Sequence, residues 1–261
     1  MPIDRITIQI QLLGQNGCIF YFPHATLYID PYLSHSVQEL DSPDIQRLQD
    51  VPIQPSDVHD ADYVLITHEH IDHCDPHTLS ALSKASPQAQ FIAPKPVVQI
   101  LHTWNIHQER CTIATEQWMP VTSNLKIQTT LAAHPQIERD SQGYLRFVGY
   151  MLNYKDKLIY IAGDTSVNDE LIKSLRLFDR IDVAFLPVNE RNYFRERRGI
   201  TGNMSVREAF LLAQEVNIQK VIPVHWDMFA INSVSPVEIQ TVYNNMQASF
   251  ELLMQPSEIT L

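Results

Sequence analysis

The chain has 261 residues, 44% hydrophobic and 19% charged, which is the make-up of an ordinary globular protein. Its formal net charge of −11 argues against a general binder of nucleic-acid polymers, whose phosphate contacts need a basic surface. No uninterrupted apolar run approaches the roughly 20 residues of a membrane span, and the first ten residues read as a strand rather than a signal peptide, so no membrane association is expected.

Three short β-like runs open the chain, at residues 6–12, 18–22 and 26–29, with Gly14, Gly17 and Pro23-His24 in the turns between them. Residues 34–60 are polar and contain prolines; they read as loop with room for a short helix. A buried strand follows at residues 63–66. Asp75-Pro76 marks a helix start, because proline is tolerated at the first helical position. Strand and helix patterns then alternate through residues 91–93, 96–104 and 125–131. A hairpin around Lys155-Asp156 joins residues 145–154 to 157–162. Helices are expected near residues 168–177, 205–216 and 236–246, with apolar strands at 183–186 and 221–224 between them. Meandering strands followed by β-α alternation predict two mixed sheets with helices outside. Three cysteines, Cys18, Cys74 and Cys111, are widely spaced and form no C-x-x-C pair, which fits a reducing, cytoplasmic compartment. Cys74 stands beside His73 and reads as a small packing residue rather than a ligand.

The densest chemistry lies in Thr67-His68-Glu69-His70-Ile71-Asp72-His73, directly after the strand at 63–66. Imidazole and carboxylate suit zinc, manganese or iron, and a cluster this tight seldom serves packing alone. His134, Asp164 and His225 also fall just past strands, where loops on a rigid scaffold gather ligands from distant sequence. Each of these has a plainer reading by itself: His134 as a loop residue before Pro135, Asp164 as a helix cap, His225 as a satisfied core histidine. Together they supply enough ligands for two metal ions.

The order H-x-H-x-D-H, then H, D and H, resembles the metallo-β-lactamase superfamily. That resemblance implies one domain over residues 1–261, folded as a four-layer αββα sandwich of two mixed β-sheets flanked by helices. It implies that His68, His70 and His134 bind one ion, that Asp72, His73 and His225 bind the second, and that Asp164 bridges them. Gly163-Asp164-Thr165, Arg198-Gly199-Ile200-Thr201 and Pro223-Val224-His225-Trp226-Asp227 narrow the likeness to the UlaG branch, named for a manganese-dependent cytoplasmic L-ascorbate-6-phosphate lactonase. The chain departs from that branch in having His134 where a carboxylate stands, which leans the metal preference towards zinc. It also carries a longer segment at residues 192–197. The expected cofactors are therefore two divalent ions, Zn2+ or Mn2+, with Fe2+ ranked behind them. The lactonase relative is a homo-oligomer, so self-association is expected.

Two such ions flanking one water lower its pKa from about 15.7 towards roughly 7, giving a nucleophile near neutral pH. Asp72 is the expected proton carrier beside it. Asp30 is expected to hold a ligand imidazole and Thr165 to orient Asp164. Arg191, Arg195, Arg197 and Arg198 form a basic island in an acidic chain. Arg198 is expected to bind an anionic small-molecule substrate, with Asn189, Glu190, Tyr193 and Asp227 as weaker candidates for sugar hydroxyls. The leading function is hydrolysis of a sugar-acid or other anionic lactone. A small-molecule phosphodiesterase is the alternative, and a di-iron redox or metal-binding protein stands further behind.

Overall fold

A computed structural model describes residues 6–261, so the reading of residues 1–5 lies outside the described residues. The strands β1 (Thr7–Gly14), β2 (Gly17–Phe22) and β3 (Ala25–Ile29) pair antiparallel in sequence order. In β1 the residues alternate: Ile8 and Ile10 are buried while Thr7 and Gln9 are exposed, the period of a strand with one face on a core. Next, β4 (Tyr63–Leu65), β5 (Gln90–Ala93) and β6 (Cys111–Ile113) add to β3 in parallel.

The second sheet repeats this plan. β7 (Met119–Pro120), β8 (Leu125–Leu131), β9 (Val148–Tyr154) and β10 (Lys157–Ile161) are antiparallel neighbours. β11 (Val183–Pro187), β12 (Lys220–Val224) and β13 (Glu251–Leu252) then continue in parallel. Finally β14 (Glu258–Thr260) returns to the first sheet beside β1. Each sheet has seven strands, ordered β14-β1-β2-β3-β4-β5-β6 and β13-β12-β11-β10-β9-β8-β7.

The inner faces meet through apolar side chains, with Phe20 of β2 against Phe185 of β11 at 5.4 Å between ring centroids and Phe22 against Tyr154 at 4.8 Å. Helices α1 (Pro76–Ala85) and α2 (Lys95–Thr103) bury Leu79, Leu82, Val97 and Leu101 with Val64 and Phe91 of the first sheet. On the second sheet, α3 (Asp169–Leu175), α5 (Val206–Glu215) and α6 (Pro236–Asn245) contribute Leu171, Phe210 and Ile239 to the core; the short α4 (Tyr193–Glu196) precedes α5. The result is the αββα sandwich. Local chemistry sets the helix starts. Asp75 accepts from the His77 N–H with Pro76 in the first turn, and Ser205 and Glu208 form a reciprocal capping box.

The short edge strands β6, β7, β13 and β14 and the helix α4 were not expected from the sequence. Elements of two to four residues show too little of any period to be recognised. No helix among the described residues is long and apolar enough to cross a membrane.

The topology also decides where chemistry gathers. β8 and β10 both run antiparallel to β9, and β11 and β12 run parallel to β10, so β8, β10 and β12 end at the same edge. β3 and β4 likewise end together. The loops leaving these carboxyl ends carry all of the expected ligands, as ligand sites in α/β sheets commonly do.

Candidate metal centre

After β4 the chain turns tightly, with the backbone N–H groups of His73 and Cys74 both donating to the His70 carbonyl. This turn aims His68, His70, Asp72 and His73 at one point. Asp30, just past β3, fixes it from below: its carboxylate accepts from the Thr67 N–H at 2.8 Å and the Thr67 hydroxyl at 2.6 Å. The same carboxylate lies 2.8 Å from His73 Nδ1, so that nitrogen carries a proton, and the lone pair open to a cation is the one Nε2 has when the ring is neutral.

Two sets of donor atoms result, each within 4.8 Å of one another: His68, His70 and His134, and Asp72, His73 and His225. Asp164 groups with His68 and His73, one from each set, and so lies between them. Its Oδ2 is 3.8 Å from His134 Nε2 and 3.3 Å from His225 Nε2, while Oδ1 is 3.5 Å from His73 Nε2. Gly163 permits this placement. It has φ of +62°, and a side chain there would come within 2.6 Å of the Val148 carbonyl.

Two amides that the sequence reading passed over hold the carboxylates. Asn16 Nδ2 donates to Asp164 Oδ1 at 2.7 Å, and Gln15 Nε2 donates to Asp72 Oδ2 at 2.6 Å. Both sit in the β1–β2 turn and are buried. Their sequence signal is the pair of adjacent amides set between Gly14 and Gly17. Phe147 is a third unforeseen neighbour, its ring 5.6 Å from that of His68 and 5.3 Å from that of His134.

Thr165 is placed differently from expectation. Its hydroxyl accepts from the Ala133 N–H at 2.9 Å and donates to the Ser166 carbonyl, and so ties the His134 segment to the Asp164 segment instead of orienting the Asp164 carboxylate. Cys74 is buried with the apolar side chains under α1 and belongs to none of the donor sets.

The electrostatics match a cation site. Burial pushes the His68 imidazole well below its usual range and that of His134 down to about 4, so both are neutral and able to donate a lone pair. Burial disfavours charge on His73 too, but Asp164, Asp72 and Asp30 outweigh it and push that imidazole up to about 10. Burial likewise opposes ionisation of Asp72 and Asp164, and the surrounding imidazoles overcome it and hold both below the usual carboxylate range. His73 Nε2 is buried with no hydrogen-bond partner while facing Asp72 and Asp164. A buried nitrogen facing two carboxylates is satisfied by a cation, a proton in the metal-free protein or a metal that displaces it, and the imidazole–carboxylate donor set fits divalent zinc, manganese or iron.

A profile of the β-lactamase superfamily domain matches residues 26–226, a span that includes every one of these ligands. The chain belongs to the β-lactamase superfamily. Among curated superfamily proteins it is 26% identical over 205 residues to a probable L-ascorbate-6-phosphate lactonase, UlaG, of Escherichia fergusonii. That match takes in 73% of this chain and 56% of the relative, so the chain spans little more than half the relative's length. Its fold is similar to that of a metallo hydrolase from the archaeon Ignicoccus hospitalis, with a TM-score of 0.68 at 20% identity over 98% of this chain and 99% of the other. It is similar too to a possible metal-dependent hydrolase from Veillonella parvula, with a TM-score of 0.71 at 18% identity over 98% of each chain.

In this superfamily member five of the candidate ligands, His70, Asp72, His134, Asp164 and His225, line a cavity of about 520 Å3. Arg198 lines it, paired with Asp44 from the segment after β3. The other expected substrate contacts do not line it. Asn189 is fully buried, donating to Asn232 at 3.1 Å and accepting from Asn203 at 2.9 Å, so its amide serves the loop's interior. Glu190 accepts from Asn192, the exposed Tyr193 ring lies under Arg197, and Asp227 accepts from the Gln15 N–H behind the ligands. The arginine island also divides. Arg195 is buried and donates to the carbonyls of Glu190, Ile231 and Ser233, while Arg191 pairs with Glu196 at the surface.

Proposed function

We propose that this chain is a metal-dependent hydrolase that opens the lactone ring of an anionic small molecule, with His68, His70 and His134 holding one divalent ion and Asp72, His73 and His225 a second. The observation that carries this reading is the convergence of those six side chains, with Asp164 between the two sets, at a cavity that five of the seven line together with Arg198. The 26% identity with a probable lactonase supports the choice of a carboxylic ester. When bound, two such ions supply an activated water and draw charge from the reacting oxygen.

The chain's own residues do the rest. Asp164 keeps the two ligand sets together, and Asn16 keeps Asp164 in place. Asp72 lines the cavity with its Oδ2 held by the Gln15 amide, and is placed to take a proton from the attacking water and return it to the leaving alkoxide. Arg198 meets the substrate's anionic group, for which Asp44 is the resident stand-in. Replacing Arg198 with alanine is expected to raise KM for an anionic lactone more than for its neutral analogue; equal effects would remove Arg198 from that role.

The deciding experiment is acid release, followed at constant pH, from zinc- or manganese-loaded protein given lactones and small phosphodiesters, with Asp164→Asn as the blank. Release from lactones that the blank lacks supports the reading. Release from phosphodiesters alone would make the chain a phosphodiesterase, since the same pair of ions can serve attack at phosphorus.

A further inference from the structure

The walls above the ligands carry chemistry of their own. Six apolar side chains line the cavity: Val37 and Ile45 from the segment after β3, Ile71 from the histidine loop, Ile200 after α4, and Phe229 and Ile231 after β12. Val37 and Phe229 belong to a small buried apolar cluster with Tyr32 and Met228, against which Ile45 and Ile71 pack. Val37, Ile45, Ile71 and Phe229 are therefore the edge of a packed core, and Ile200 and Ile231 extend the apolar lining beyond it.

The polar lining outside the ligand sets is committed only in part. Ser42 donates to Asp41 at 2.7 Å, one Glu69 oxygen takes Arg146 at 2.6 Å, the Asn232 oxygen accepts from Asn189 at 3.1 Å, and Arg198 pairs with Asp44, while Glu69 Oε2 has no partner; none of these groups lies among the six apolar side chains. A polyhydroxylated sugar would bury hydroxyls against this wall without partners, at a cost of about tenfold in binding for each. An alkyl or aryl group gains there instead, by about fourfold per buried methylene.

From this we infer that the substrate has an aliphatic or aromatic body, seated against Ile71, Ile200, Phe229 and Ile231, with its anionic group at the Arg198 lip, and that the site disfavours sugar lactones. This specificity rests on the hydrolase reading above for its place in a reaction, but not for its test.

The test is binding by calorimetry to the zinc-loaded protein of γ-hydroxyalkanoates from pentanoate to nonanoate, the ring-opened products of alkyl lactones, against aldonates of equal carbon number. Affinity is expected to rise about fourfold with each of the first added methylenes, and each aldonate to bind at least about tenfold more weakly than its alkyl counterpart. Ile200→Asn and Ile231→Asn, both at half-buried wall positions, should flatten the chain-length dependence and leave acetate affinity unchanged. Tighter binding of the aldonates, or a flat dependence in the unaltered protein, would overturn the inference. A dependence that the two variants leave unaltered would place the alkyl group elsewhere and overturn it as well. A graded dependence with no lactone turned over would retain the apolar wall and remove only the lactonase reading.

Discussion

At the scale of single residues, the site depends on groups that position charge. Asp72→Asn is expected to retain metal, because His73 and His225 remain, yet to lower turnover by about 10²-fold or more, the usual worth of a placed proton carrier. Metal content and acid release, measured on the same preparation, check this; near-normal turnover would take Asp72 out of the role. Asn16→Ala removes the amide on Asp164 Oδ1 and should weaken metal affinity by about 10–100-fold, read by competition with a chelator. His73 sets a pH dependence. In the metal-free protein its folded value of about 10 lies above the ordinary 6.5, so its contribution to stability is complete below 6.5 and is lost as pH rises through about 10. A metal needs the Nε2 lone pair, so loading near neutral pH should release a proton and affinity should fall as pH falls. Calorimetry in buffers of different ionisation enthalpy measures that proton directly; no release would place His73 as neutral before binding.

At the scale of elements, the connections at the active edge are fixed by specific groups. Gly163→Ala would put a side chain at φ +62° against the Val148 carbonyl, and is expected to cost at least about 1 kcal/mol in denaturant unfolding. The segment at residues 190–200 is held by Arg195, which donates to the Glu190 carbonyl at the start of the segment and to the Ile231 and Ser233 carbonyls after β12. Arg195→Met should therefore leave the sheets intact and speed proteolysis within that segment. The sequence marked the arginine island as basic but did not distinguish Arg195, a buried structural clamp, from Arg198, which reaches the cavity. The distinction depends on which carbonyls lie nearby, and Ile231 and Ser233 are more than thirty positions away in the chain.

At the scale of the whole molecule, the candidate metal centre ties the two sheets together. His68 and His73 leave the first sheet after β4, while His134, Asp164 and His225 leave the second after β8, β10 and β12. Removing the ions should lower the unfolding temperature, because a ligand held at about 1,000 times its Kd stabilises the folded state by about 4 kcal/mol. A scan with and without chelator reads the shift; an unchanged midpoint would mean that the ligands hold no ion in solution.

The sequence alone was enough to read two mixed sheets with helices outside, the principal strands and helices, and the candidate ligands, while their arrangement as an αββα sandwich came from the family resemblance. The former rest on local patterns: a period of two in β1, proline after Asp75, and histidines and aspartates past apolar strands. It did not disclose Gln15, Asn16 and Phe147, the true partners of Thr165, the inward use of Asn189, or the apolar wall. Those were decided by tertiary structure, because each is a contact between segments far apart in the chain. Residue type and spacing state what a side chain can do, whereas its partner is chosen by how the sheets bring distant loops to one edge.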